Sequence, residues 1–170
     1  MSINASNVIA EINELRTGPS SYARKIEKYE KYFDEKSDKI LRIPGLELGI
    51  KTIEGKFAYV AAADFLNRAN AVEALEPSDD LSHIAQDFLN EATKLGPTRI
   101  GEIQLDKIIA KYGEFAGNFS RAIEFGANTS EQVVINLVVS DGDETRGQRD
   151  SLLNEKLKKV GVATGKNDTY

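Results

Sequence analysis

Residues Thr129–Arg149 read TSEQVVINLVVSDGDETRGQR. The stretch opens on a hydroxyl pair and an acid, then places six aliphatic residues among the seven positions from Val133 to Val139. A Ser/Thr cap ahead of such a run predicts a helix buried on all sides. The helix should stop at Asp141-Gly142, where a loop sets Asp141, Asp143, Glu144 and Asp150 against Arg146 and Arg149. On either side lie NFSRAIEFG (118–126), which alternates in the manner of a strand, and KKVGVATG (158–165), a second short strand rich in β-branched residues.

Upstream of this strand, helix and strand the periodicity is helical. Val8, Ile9, Ile12 and Leu15 keep the spacing of one helix face, with Asn4 or Ser6 as its cap and Gly18-Pro19 as its stop. Tyr22, Ile26, Tyr29 and Phe33 line one side of the next helix, capped by Ser20 or Ser21, while its other side is charged. ILRIPGLELGIKTIEGK (40–56) has four turn-forming Gly or Pro residues and little periodicity, so it reads as a long loop holding a brief extended piece. Glu54 through Ala74 is Ala-rich and reads as a strong helix, with Phe57, Val60, Ala61, Phe65 and Leu66 turned to the core. Pro77-Ser78-Asp79 forms a turn and cap, DLSHIAQDFLNEATKLG (80–96) a helix ended by Gly96-Pro97, and LDKIIAKYG (105–113) one more short helix. Helices followed by strand, helix and strand make an α+β protein rather than a chain of repeating βα units.

Composition narrows the function. The 170 residues are 41% hydrophobic and 29% charged, average globular usage for a single domain over 1–170. The longest apolar run, Phe57 to Phe65, is broken by Asp64 and falls well short of the roughly 20 residues a membrane helix needs, so no transmembrane segment is expected. A net charge of −5, with bases spread among acids at helical spacing, argues against nucleic acid as a partner. The absence of cysteine removes disulfides, thiol catalysis and cysteine-ligated zinc. The start MSINASNVIAEINELR lacks a basic-then-apolar leader, which fits a cytosolic chain or one whose leader has been removed. Asn-X-Ser/Thr sequons occur at Asn4, Asn118, Asn128 and Asn167.

The candidate chemistry is sparse. His83 is the only histidine, so neither a histidine-pair metal site nor a Ser-His-Asp triad has its members, and His83 reads as a partly exposed structural residue. No glycine-rich stretch has the lysine and hydroxyl placement of a phosphate loop. The acidic loop supplies only the first two ligand positions of a calcium-binding hand, and Arg146 and Arg149 stand ready to neutralise it. An ion-pair network in a turn is therefore expected, with no catalytic residue, metal or cofactor. The alternative is a divalent-cation-dependent, hydrolase-like protein with an all-carboxylate site of Glu102, Glu124, Asp141 and Glu144. A third reading makes Tyr22, Tyr29, Tyr32 and Phe33 a docking stripe for a larger assembly.

The order of segments resembles a known family. NELRTGPSSYA near the start, TIEGKFAYVAAADFL, LSHIAQDF, then KYGEF, IEFG, VVINLVVSDGDETRGQR and LKKVGVATG are similar, in that order, to the bacterial and protist branch of the CAP superfamily, or SCP domains, which includes cysteine-rich secretory proteins, antigen 5 and plant pathogenesis-related proteins. The most specific piece is Asp141-Gly142 followed by Arg146-Gly147-x-Arg149, where relatives read Arg-Gly-His-Arg. The resemblance implies a three-layer α-β-α sandwich around a small antiparallel sheet. It also implies a cavity lined by two histidines and two acids that in some relatives holds a cation. Those four positions fall here on Pro97, Arg121, Ser140 and Gln148, so the cavity is degenerate. Two imidazoles are lost and a positive charge gained, which should abolish tight zinc binding. Asp141, Gly142, Arg146, Gly147 and Arg149 then remain as a structural loop whose arginines bond carboxylates or carbonyls. The family's last strand has no counterpart before Tyr170, so a neighbouring chain, or the loop over 34–53, is expected to complete the sheet. The family association implies a non-enzymatic domain outside the cell or at its surface, binding an unidentified protein or a lipid-like ligand; a cytosolic location stays open.

Overall fold

A computed structural model describes residues 3–115 and 117–165. Helix α1, Ala5–Thr17, is capped by Asn4, whose Oδ1 accepts the Asn7 amide at 2.8 Å, and α2, Pro19–Tyr29, starts on a proline whose missing N–H would have had no helical partner. Gly18 occupies the N-cap of α2, so the expected serine cap is not used. Val8, Ile12 and Leu15 of α1 and Tyr22, Ala23 and Ile26 of α2 are buried together. Between the helices Lys25 bonds Glu11 at 2.5 Å and Glu14 at 2.7 Å, its ammonium lying 4.7 Å from the Tyr22 ring centroid.

Tyr29 ends α2, earlier than the expected helix through Phe33, and both Tyr29 and Phe33 pack on the Tyr59 ring, with centroids 6.1 and 5.2 Å away. Tyr22, Tyr29 and Phe33 are thus core, and Tyr32 packs against the same core. That corrects the docking-stripe reading: a helix with one apolar face buries it against whatever element packs closest.

A sheet appears where the end of a helix and a loop with one brief extended piece were expected. Strands β1 (Phe33–Asp34), β2 (Ser37–Leu41) and β3 (Ile50–Lys51) pair antiparallel in the order β1-β2-β3, with Phe33 opposite Leu41 and Ile40 opposite Lys51. Asp34 organises the first turn by accepting the Lys36 amide at 2.8 Å and the Arg42 Nε at 2.8 Å. The chain leaves β3 through Thr52, whose amide and hydroxyl both bond the Lys39 carbonyl at 2.9 Å, and enters α3, Lys56–Arg68.

Helix α3 differs from expectation in length and in face. It ends at Arg68 because the backbone beyond has stronger tertiary partners: Val72 N donates to Arg16 O at 2.8 Å and Leu75 N to Asn13 Oδ1 at 2.7 Å. Ala propensity over 69–75, worth tenths of a kcal/mol per residue, loses to these bonds. The buried residues of α3 are Ala58, Tyr59, Ala62, Ala63 and Leu66, whereas Phe57 is 70% and Phe65 37% exposed. Small alanines let α2 and α3 approach closely, and the phenylalanines turn outward.

Strand β4, Glu76–Pro77, precedes α4, Asp79–Leu95, which Ser78 caps. A 3-10 turn over Pro97–Glu102 and the short helix α5, Leu105–Ile109, fold back on α4. Ile84, Phe88, Ala92 and Ile108 form a second apolar cluster there, joined by the half-buried Ile123. Residues 117–126 form no strand, which corrects the reading of NFSRAIEFG. The Ile123 amide bonds a side chain, Gln148 Oε1, instead of a neighbouring strand, and Gly117 and Gly126, at φ 108° and 91°, bend the chain at either end.

Helix α6, Ser130–Val139, is capped as expected by Thr129, whose Oγ1 accepts the Gln132 amide at 3.1 Å, and its Val134, Ile135, Leu137, Val138 and Val139 are buried. Helix α7, Gly147–Leu152, follows the acidic loop. Strand β5, Lys159–Val160, is short as predicted but pairs parallel with β4, Glu76 opposite Lys159. The protein is α+β, with a three-stranded antiparallel sheet over 33–51 and a two-stranded parallel one. No helix among the described residues is long and apolar enough to cross a membrane.

Candidate functional site

The loop after α6 departs most from ordinary backbone. Ser140 (φ 48°), Gly142 (φ 82°) and Arg146 (φ 53°) all lie in the left-handed region, two of them with side chains that disfavour it. Such strain persists only where surrounding bonds over-determine it. Asp141 supplies part of that determination: its Oδ2 accepts the Ile53 amide at 2.6 Å and its Oδ1 the Glu54 amide at 2.8 Å, just ahead of α3. Glu54 reciprocates, its Oε1 accepting the Gly142 amide at 2.7 Å. Each segment thus places a carboxylate on backbone donors of the other.

The arginines close the arrangement. Arg146 donates Nη1 to Glu54 Oε1 at 2.7 Å, Nη2 to Oε2 at 2.5 Å, and Nη1 also to the Ser140 carbonyl at 2.6 Å. Bonds from Arg146 and the Gly142 amide hold the Glu54 carboxyl below the usual carboxylate range. Arg149, buried, donates Nε to Val138 O at 2.6 Å and Nη2 to Val139 O at 3.2 Å, supplying orphan carbonyls at the end of α6 while its guanidinium covers the Phe65 ring at 5.3 Å. Arg146 ties the turn after α6 to Glu54 just ahead of α3, and Arg149 ties the end of α6 to the Phe65 ring within α3.

The four positions matched to the family cavity have varied surroundings. Gln148 Oε1 accepts the Ile123 amide at 2.9 Å. Arg121 lies with its guanidinium carbon 4.9 Å from the Phe88 ring centroid. Ser140, buried, donates Oγ to Leu137 O at 2.7 Å, and Pro97 opens the 3-10 turn after α4. Gln148 thus bonds the backbone two residues along from Arg121, whose own side chain lies over Phe88.

The carboxylates of the all-oxygen alternative are placed separately. Glu102 pairs with Arg99 at 2.6 Å, Asp141 caps the approach to α3, and Glu124 accepts Asn136 Nδ2 at 2.8 Å and the Ala127 amide at 3.3 Å. Burial pushes the Glu124 carboxyl up, against the pull of those two bonds. Glu144 is exposed. Among the described residues no group of three or more His, Asp or Glu side chains is placed to hold a metal ion. His83 is exposed and stacks on Tyr112 with ring centroids 5.9 Å apart.

Sequence reasoning missed Arg16. It is completely buried in α1, and its donors reach main-chain carbonyls: Glu73 O at 2.8 Å, Leu152 O at 2.6 Å, Asn154 O at 3.2 Å and Leu157 O at 3.3 Å. The signal was its position four residues after Ile12, on the apolar stripe of Val8 and Ile12, where a charge must find polar partners.

Comparison of the chain with protein-family models, with curated proteins and with solved structures returns no match.

Proposed function

We propose that the chain is a non-enzymatic binding or protein-interaction domain of CAP/SCP type, with a degenerate cation cavity, acting outside the cell or at its surface. What carries the reading is the use made of Gln148. Where the resemblance expects an imidazole, a neutral amide satisfies the Ile123 backbone at 2.9 Å, and Arg121 brings a fixed cation into the same segment. A glutamine already bonded to backbone and an arginine are poor surroundings for a divalent ion. The loop arginines serve helix ends and the Glu54 carboxylate, a scaffold role that leaves recognition to the surface. The open cleft of about 460 Å³ beside Phe57, Ala61 and Phe65 offers an apolar face for a protein or a lipid-like ligand.

The test is titration with zinc, calcium and magnesium while following thermal unfolding. A cation at one hundred times its dissociation constant adds about 2.7 kcal/mol of stability. A flat response is expected for all three. A rise in melting temperature that Gln148→Ala removes would overturn the reading in favour of a working metal site.

A further inference from the structure

The outward face of α3 is a stripe with an unusual internal order. Glu54, Phe57, Ala61, Phe65 and Arg68 follow one another at spacings of 3, 4, 4 and 3 residues. Within the helix these intervals keep Phe57, Ala61, Phe65 and Arg68 on one side, and Glu54, one residue ahead of the N-cap Gly55, adjoins the start of that stripe. Phe57 and Phe65 are 70% and 37% exposed, Ala61 is half-buried between them, and Arg68 stands in solvent. The series is the same length read from either end about Ala61. Turned end for end it lays Phe65 on Phe57, Ala61 on Ala61 and Arg68 on Glu54.

We propose that this face binds a second copy of the chain, α3 against α3 in antiparallel orientation, with the two-fold axis passing beside Ala61. An isologous interface requires a patch complementary to itself, and the order of this stripe meets that condition in shape and in charge. Ala61 at the crossing point lets the two backbones approach, so that each phenylalanine reaches the ring of the other copy. Charge sets the direction. At the start of α3, Glu54, Asp141, Asp143 and Glu144 outnumber Arg146, which pairs with Glu54, while Lys56 is paired with Glu30 at 3.5 Å and Arg149 lies further along the helix, over the Phe65 ring. At the other end Arg68 pairs, among the described residues, with Asp64 alone, at 3.9 Å with both side chains well exposed, a contact that contributes little.

Antiparallel pairing brings each Arg68 to the other copy's acidic end, where Glu54 Oε2 has accepted Arg146 Nη2 and can accept another donor. A parallel pair would set Arg68 on Arg68 and Glu54 on Glu54. A lipid surface is less well matched, because Glu54, Asp64 and Arg68 flank the phenylalanines and the chain carries −5 overall. The inference rests on the proposed function's use of the cleft beside Phe57, Ala61 and Phe65 for recognition and assigns that cleft to a second copy, while the cation titration tests the degenerate cavity separately.

The experiment is sedimentation velocity of the whole chain from micromolar to near-millimolar concentration, for the wild type, Phe57→Ser and Arg68→Glu, with circular dichroism to verify folding. A reversible dimer is expected. Phe57→Ser should raise its dissociation constant about a hundredfold, since each dimer loses the ring twice. Because the chain has no cysteine, Ala61→Cys introduces a single thiol, and under a mild oxidant it should form a disulfide-linked dimer while the off-face control Gln86→Cys does not. A monomer at every concentration overturns the proposal, as does a dimer indifferent to Phe57→Ser or one in which Ala61→Cys fails to cross-link. A monomer that floats with phosphatidylcholine vesicles overturns it in favour of a lipid surface.

Discussion

Arg146 and Glu54 meet in a two-point ion pair, Nη1 to Oε1 at 2.7 Å and Nη2 to Oε2 at 2.5 Å, across 92 positions of sequence. The pair fastens the left-handed turn after α6 to the residue before the N-cap of α3. Its planar fork matches a carboxylate in a way that a lysine ammonium does not.

Glu54→Gln should therefore cost about 1 kcal/mol near neutral pH, the ordinary worth of a charge-assisted bond on a partly solvated pair. The sign of its pH dependence follows from the depressed folded-state value. Stability from this group is present above the unfolded carboxyl value, about 4.3, and is lost as pH falls through the lower folded value. Urea midpoints of wild type and Glu54→Gln should differ at neutral pH and converge in acid. A constant gap down to the acid limit would show that the ionised carboxylate is not the stabilising species.

Arg16→Met should be the most damaging single change of this set. The methionine fills much of the space but takes the guanidinium donors from the Glu73, Leu152 and Leu157 carbonyls, the Leu152 bond being the buried one, while Asn154 O keeps the Leu157 amide at 3.3 Å. A loss of about 3 kcal/mol or more is expected, because an unsatisfied buried acceptor costs its full desolvation. Hydrogen exchange should localise the opening to 69–75 and 152–157. A variant as stable as wild type would mean that water serves those carbonyls equally well.

How much could be read in advance depended on whether local pattern or distant contact decided each element. Thr129 and the aliphatic run after it determine α6 within a dozen residues, so cap, helix and burial were all legible. The stripe of Tyr22, Ile26 and Tyr29 was legible for the same reason, whereas Phe33 is buried with them from β1 rather than from the helix. The sheet over 33–51 was not, since two of its strands are two residues long and its first turn rests on Asp34 side-chain bonds rather than on alternation. The orientation of α3 was misread because Phe57 and Phe65 outrank alanine in hydrophobicity, whereas close approach to α2 favours the small face. Of the acidic loop, the participation of Arg146 and Arg149 was readable; their partners Glu54, Val138 and Val139 were not, because spacing in sequence says nothing of which helix end lies nearby.

Gly161→Ala should destabilise although it adds only one methyl. A Cβ there would run into the backbone of Leu81 and Ser82 at the start of α4, and backbone cannot swing aside as a flexible side chain does. The cost should be about 1–3 kcal/mol, as for other overpacked sites. Gly101→Ala, where nothing lies within 4 Å of the added carbon, is the control and should be close to neutral. Equal urea midpoints for the two variants would mean that β5 lies further from α4 than this packing requires.

Glu124→Gln should stabilise, opposite in sign to Glu54→Gln, although both remove one carboxylate. Burial disfavours the charged form of Glu124, while Asn136 Nδ2 and the Ala127 amide only partly compensate. The folded value is raised, so the stability that the protonated form contributes is present below the unfolded value and is lost as pH rises through the folded one. Glutamine keeps an acceptor for Asn136 and avoids placing a charge in a desolvated site. The variant should gain up to about 1 kcal/mol at neutral pH and lose that advantage below about pH 4, where the wild-type carboxyl is itself neutral. Thermal unfolding of both proteins at several pH values measures the difference. If Glu124→Gln is less stable at neutral pH, the anion is the form that Asn136 and Ala127 hold, and hydrogen bonding to the charge outweighs its burial.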